Sequence, residues 1–95
     1  MEHFLYILFS NSKNSFYIGE SHNVEERLIK HNTHVYNPKS FTKITNDWEI
    51  ALKFTCKSKD EALFLERYIK QMKSKKFILK IINNQDILTD ILKKR

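Results

Sequence analysis

Cysteine, glycine and proline occur once each in the 95 residues, as Cys56, Gly19 and Pro38. A single cysteine excludes an internal disulfide, and a secreted domain of this size ordinarily needs such staples, so a reducing cytosol fits better. The scarcity of glycine and proline excludes collagen-like, linker-like and low-complexity sequences. One glycine also cannot build a glycine-rich phosphate loop. Long apolar runs are missing too. The longest, Phe4 to Phe9 and Phe77 to Leu79, fall far short of the roughly 20 residues that cross a bilayer. The start Met1-Glu2-His3 lacks the basic region of an export signal. His3, His22, His31 and His34 have no local spacing with a cysteine, which argues against a structural zinc site.

The chain is well supplied with apolar and charged residues. Hydrophobic residues make up 41% and charged residues 29%, with seven Phe, four Tyr and one Trp, enough to drive folding of one compact domain over residues 1–95. The net charge of +6 is uneven. Residues 1–22 carry −1, residues 23–46 carry +2, residues 47–70 are balanced and residues 71–95 carry +5. A basic segment on a folded domain fits a polyanionic partner such as nucleic acid, and equally a solvated lysine-rich helix. Lys73, Lys75, Lys76 and Lys80 are the candidate phosphate contacts.

Hydrophobic periodicity gives the order β-β-α-β-α-α, an α+β architecture with a small antiparallel sheet. Phe4 to Phe9 reads as a strand, Ser10 to Ser15 as a polar loop, and Phe16 to Ile18 as the return strand of a hairpin. Alternation puts Tyr6 on one face with Phe4 and Leu8, and Tyr17 on one face with Gly19. Asn23 and Glu26 match a capping box, so a helix starts there with Val24, Leu28 and Ile29 as its apolar stripe and with Arg27 and His31 on one face. Asn32 to Asn46, which includes Pro38, reads as a loop with some extended structure. Trp48 to Cys56 reads as a third strand with Trp48, Ile50, Leu52, Phe54 and Cys56 on one side. Ser58 and Glu61 form a second capping box, ahead of a helix from about Lys59 to Lys73 with Ala62, Leu65, Ile69 and Met72 inward. A final helical region, broken near Asn83 and Asn84, closes the chain.

A few residues stand out against this pattern. Glu66 lies four after Ala62 and three before Ile69, along the apolar stripe. A carboxylate there is either a flank residue paired with a nearby Lys or Arg, or a metal ligand. Arg27 and His31 serve a surface ion pair or a phosphate site, and Tyr6 and Tyr17 are half-buried sheet aromatics or groups that orient water. Cys56, in a strand pattern, reads as a small core residue.

Phe4-Leu5-Tyr6, then Tyr17-Ile18-Gly19 with its tyrosine eleven residues after the first, then Asn23, Arg27, His31-Asn32 and the helical Glu66, resembles the GIY-YIG nuclease superfamily. The likeness covers nearly the whole chain and is greatest to small, stand-alone, single-domain bacterial members. It implies a three-stranded antiparallel sheet flanked by helices, and an endonuclease that hydrolyses DNA phosphodiester bonds with one divalent metal ion. By this resemblance Glu66 is the sole protein ligand of Mg²⁺ or Mn²⁺, and Tyr17 or Tyr6 deprotonates the attacking water while the other supports it. Arg27 stabilises the scissile phosphate, His31 assists proton transfer or holds a tyrosine hydroxyl, and Asn83, or its neighbour Asn84, supports the site. The sequence departs from the pattern in its first tripeptide, which keeps the tyrosine and loses the glycine, and in Glu20, whose charge either repels phosphate or helps hold the metal. Such an enzyme would be cytoplasmic and act in DNA repair, recombination or defence, with the DNA preference open. The alternatives are a catalytically weak or inactive nucleic-acid-binding module that uses the basic C-terminal region, and an interaction domain whose apolar segment Ile87 to Leu92 packs on a protein partner or in a homodimer.

Overall fold

The fold is that of a computed structural model, in which residues 2–33 and 44–95 are described. Three strands, β1 (His3–Ser10), β2 (Ser15–Ser21) and β3 (Trp48–Cys56), form an antiparallel sheet in the order β2-β1-β3. Helix α1 (Val24–Thr33) lies between β2 and β3 in sequence, and α2 (Lys59–Met72), α3 (Lys75–Asn83) and α4 (Asp86–Lys93) follow β3. The expected final helical region is thus two helices, separated at Asn84 and Gln85. The expected loop from Asn32 lies mostly outside the described residues, and Asn32 and Thr33 themselves belong to α1.

The continuous apolar run of β1 follows from its central place. Leu5, Tyr6, Ile7 and Leu8 are all fully buried because both faces of the strand are covered. Leu5 and Ile7 join Ile18, Leu52, Leu65, Ile69 and other residues on the face packed by α2, α3 and α4. Tyr6 and Leu8 join Val24 and Trp48 on the opposite face, with Tyr17, Leu28 and Ile50 packed against them. Cys56 is a core residue, and burial pushes its thiol up to about 11, away from nucleophilic use.

Three apolar assignments change. Strand β3 does not keep one apolar side: the register shifts by one residue between Ile7 and Leu8, and Ala51 is the extra residue. This bulge sends Trp48 and Ile50 to the Tyr6 face and Leu52, Phe54 and Cys56 to the other. Ile29 is 64% exposed, and the buried residues of α1 are Val24 and His31. Met72 is exposed as well, because the helix ends there and Lys73 turns into the left-handed region at φ 47°.

The capping residues behave as their chemistry requires. Asn23 Oδ1 accepts from the Glu26 N–H, although the Glu26 carboxylate pairs with Lys30 instead of reaching back. Ser58 accepts from the Glu61 N–H, and Glu61 Oε1 accepts from the Lys57 N–H, one residue before the cap. Ser74 caps α3 in the same way through the Phe77 N–H. At the hairpin end, Asp47 accepts from the hydroxyls of Ser10 and Thr45 and from the Ser12 N–H. These donors hold its carboxyl well below the usual carboxylate range. They also fasten the approach to β3 onto the β1–β2 loop.

Candidate functional site

The hairpin register brings the out-of-place residues together. Tyr6 stands opposite Gly19, and Leu8 opposite Tyr17, so both tyrosines rise from the face that α1 covers. The Tyr6 ring folds back over Gly19. A Cβ built at position 19 would lie 2.6 Å from the Tyr6 hydroxyl and 2.7 Å from Cζ, closer than any side chain can stand. Gly19 adopts no positive φ, so glycine is needed here for space and not for backbone freedom.

His31 enters from the last turn of α1. Its Nε2 lies 3.0 Å from the Tyr6 hydroxyl, and its ring centroid is 4.7 Å from that of Tyr17 and 6.2 Å from that of Tyr6. The two tyrosine rings are 6.3 Å apart, and Trp48 closes against Tyr17 edge-on at 6.5 Å. His31 is 2% exposed, so the surface-pair reading does not hold for it. Burial, and after it the charge of Arg27 one turn earlier, lower its pKa to about 4, so the ring is neutral at neutral pH.

Arg27 opens onto a polar cleft at the end of β2, lined also by His3, Glu20, His22, Lys30 and Lys59. Glu20 pairs in register with Leu5, on the face opposite the tyrosines, where its carboxylate bonds the His3 ring. Its charge is therefore directed away from Tyr6 and Tyr17.

Glu66 comes from α2, on the other side of the sheet. Strand β2 is an edge strand, which leaves a long side chain of α2 room to approach Tyr17 past that edge. Glu66 Oε2 accepts from Lys70 Nζ at 2.7 Å, and that ammonium lies 5.9 Å from the centre of the Tyr17 ring. The side chain of Glu66 is 20% exposed. It is thus a flank carboxylate paired with a lysine, and not a member of the buried stripe of Ala62, Leu65 and Ile69. Lys70 was not visible as a site residue in the sequence, and its one signal was the i,i+4 spacing from Glu66.

The basic segment divides. Lys73 and Lys75 line a groove of about 380 Å³ that also takes in Lys70, Phe16, Ile18 and Ile69, along the outer edge of β2. Lys75 Nζ donates to the Asn14 carbonyl at 2.6 Å and stands over the Phe16 ring. Lys76 and Lys80 lie on the exposed side of α3, opposite buried Ile78 and Ile81. Asn83 is exposed at the end of α3 away from Lys75, and the Asn84 side chain accepts from the Asp86 N–H at the start of α4. Neither is drawn into the tyrosine cluster. In the segment Ile87 to Leu92, Leu88 is fully buried in the chain's own core and Ile87, Ile91 and Leu92 pack partly buried against it.

The sequence pattern of the GIY-YIG catalytic domain matches residues 2–79, most of the chain and every residue of this cluster. The chain belongs to the GIY-YIG family. The solution NMR structure of the UPF0213 protein BH0048 from Bacillus halodurans has the same fold, with 24% identity, a TM-score of 0.54, and coverage of 87% of this chain and 84% of that one. No curated protein matches. A GIY-YIG domain is a nuclease domain, and such nucleases are in general dependent on a divalent metal. Among the described residues no three His, Cys, Asp or Glu side chains gather round one point; the Glu66 carboxylate, whose partner Lys70 lies 5.9 Å from the Tyr17 ring centre, offers the hard oxygen donors of a single side chain. That set fits an ion such as Mg²⁺ or Mn²⁺, which keeps most of its waters and takes phosphate oxygens from a substrate. Among the described residues no helix is long and apolar enough to cross a membrane.

Proposed function

We propose that this chain is a DNA endonuclease that hydrolyses a phosphodiester bond at the β2 edge, with Tyr6, Tyr17, Arg27, His31 and Glu66 as its site. The observation that carries this reading is the convergence of two tyrosines and a buried, neutral histidine over Gly19, with the Glu66–Lys70 pair beside Tyr17.

The tyrosines divide the work by burial. Tyr6 is 0% exposed and Tyr17 half-buried, which favours Tyr17 as the group that meets water. Tyr17, as the phenolate, orients the water for in-line attack and takes up its proton while the bond from phosphorus to the leaving 3′ oxygen breaks, and that oxygen takes its proton from solvent. Tyr6, hydrogen-bonded to neutral His31, fixes the position of the pair. A histidine with a pKa of about 4 is a weak resting base, so its role is to hold the Tyr6 hydroxyl. Arg27 presents a planar fork to the scissile phosphate. Glu66 would hold Mg²⁺ or Mn²⁺, which when bound supplies Lewis-acid stabilisation of the leaving oxygen.

The test is cleavage of plasmid, single-stranded, flap and branched DNA with Mg²⁺ and Mn²⁺, beside Glu66→Ala and Tyr17→Phe proteins whose circular dichroism matches the wild type. Cutting by the wild type, reduced at least 100-fold in both variants, is expected from the loss of a metal ligand or a general base. Binding by all three with cutting by none sinks the enzymatic reading in favour of a binding module.

A further inference from the structure

The carboxylate assigned to the divalent ion already has a cation. Lys70 Nζ donates to Glu66 Oε2 at 2.7 Å, and the two side chains differ in freedom: Glu66 is 20% exposed and Lys70 49%. Exposed i,i+4 pairs add little to stability. The flexible lysine stem lets the ammonium move while the carboxylate stays beside α2. Two places are open to it. It already lies 5.9 Å from the Tyr17 ring centre, and it lines the groove that Lys73 and Lys75 share.

We propose that Lys70 is an exchangeable counter-ion: it neutralises Glu66 until a divalent cation takes that carboxylate, and then it passes to a phosphate of the nucleic acid lying in the groove beside β2. This rests on the nuclease reading of Glu66. The charge arithmetic supports the exchange. Carboxylate plus ammonium sum to zero, whereas carboxylate, divalent ion and released ammonium sum to +2, at the position where negative charge builds on the phosphate in the transition state. The positive charge is therefore displayed only after the metal is loaded. Metal and nucleic acid then bind cooperatively, each strengthening the other by the same factor.

The exchange is measured without turnover. Mn²⁺ alone is titrated by electron paramagnetic resonance into folded wild type, Lys70→Met and Glu66→Gln, and a 20-nucleotide oligonucleotide is titrated with chelator present, over a range of salt. Lys70→Met keeps the stem and removes the competing charge, so its Mn²⁺ affinity rises about threefold to fivefold. Glu66→Gln abolishes this Mn²⁺ binding and frees Lys70, so metal-free oligonucleotide binding tightens and its salt slope steepens by about 0.7. The gain disappears in Glu66→Gln/Lys70→Met, whereas simple removal of a repelling carboxylate would leave it in place. If Lys70→Met binds Mn²⁺ as the wild type does while Glu66→Gln does not bind it, the counter-ion role is overturned and the metal site stands. If Mn²⁺ binding survives Glu66→Gln, both the exchange and the assignment of Glu66 as metal ligand fall.

Discussion

His31 illustrates how one side chain can be chosen against stability. It occupies a core position of α1 that a leucine would fill at no electrostatic cost, and burial and Arg27 both disfavour its charged form. The folded pKa of about 4 is below the ordinary 6.5, so the unfolded chain takes up the proton first as pH falls. The neutral form's contribution is whole above pH 6.5 and is lost progressively towards pH 4. The full difference corresponds to about 3 kcal/mol. Urea unfolding at a series of pH values should show the wild type losing stability between pH 6.5 and 5. His31→Gln should lose markedly less over that interval. Equal pH dependence in the two proteins would mean that the histidine is not held neutral by burial.

The residues of the cluster were more legible in the sequence than their surroundings. Tyr6 and Tyr17 announce themselves because a two-residue period on a hairpin fixes which side chains share a face, and the polar stretch from Ser10 to Ser15 fixes the register. The need for Gly19 is then a matter of which residue faces it. The burial of His31 was not legible, because helical spacing gives a direction round the axis and not what lies there. Spacing alone leaves Glu66 open between stripe and flank for a related reason: positions i+4 from one buried residue and i−3 from another span the edge of the stripe as well as its centre, and the structure has it on the flank, paired with Lys70.

At the scale of elements, the same limit applies to how α1 and β3 are joined. Asn32, in the last turn of α1, presents its side-chain amide to the first residue of β3: Nδ2 donates to the Trp48 carbonyl at 3.0 Å and Oδ1 accepts from the Trp48 N–H at 2.8 Å. The amide thus serves as a one-residue strand, pairing both backbone groups of Trp48 and seating its indole against Tyr17. The bulge at Ala51 follows three residues later and returns the rest of β3 to the opposite face alternation. Nothing in composition marks either feature, since a bulge adds no characteristic residue and asparagine is common near helix ends. Asn32→Ala removes both bonds and should cost about 1–3 kcal/mol. Hydrogen exchange localises the effect: the Trp48 amide should lose protection while amides in the middle of β1 keep theirs relative to global stability. A uniform loss across the sheet would show that Asn32 acts on the whole fold and not on this joint.

Across the whole molecule, the positive charge and the site share one edge only in part. The +5 of residues 71–95 suggested a single basic element. The fold separates it, because the left-handed turn at Lys73 starts α3 in a new direction and a nine-residue amphipathic helix must turn one side to the core. Lys73 and Lys75 meet Lys70 in the groove beside β2, and Lys76 and Lys80 project from the far side of α3. Each lysine that neutralises a duplex phosphate contributes about 0.9 to the slope of log affinity against log salt. Lys73→Gln/Lys75→Gln should therefore weaken DNA binding and flatten that slope by about 1.8. Lys76→Gln/Lys80→Gln changes the net charge equally and should leave the slope close to wild type, because exposed charges beyond about 10 Å are screened at 0.1 M salt. Fluorescence anisotropy on one duplex over a series of salt concentrations separates the two pairs. Equal flattening by both would mean that DNA follows the long-range field of the C-terminal region, and the strand would then have to cross α3 instead of running along β2 to Tyr17.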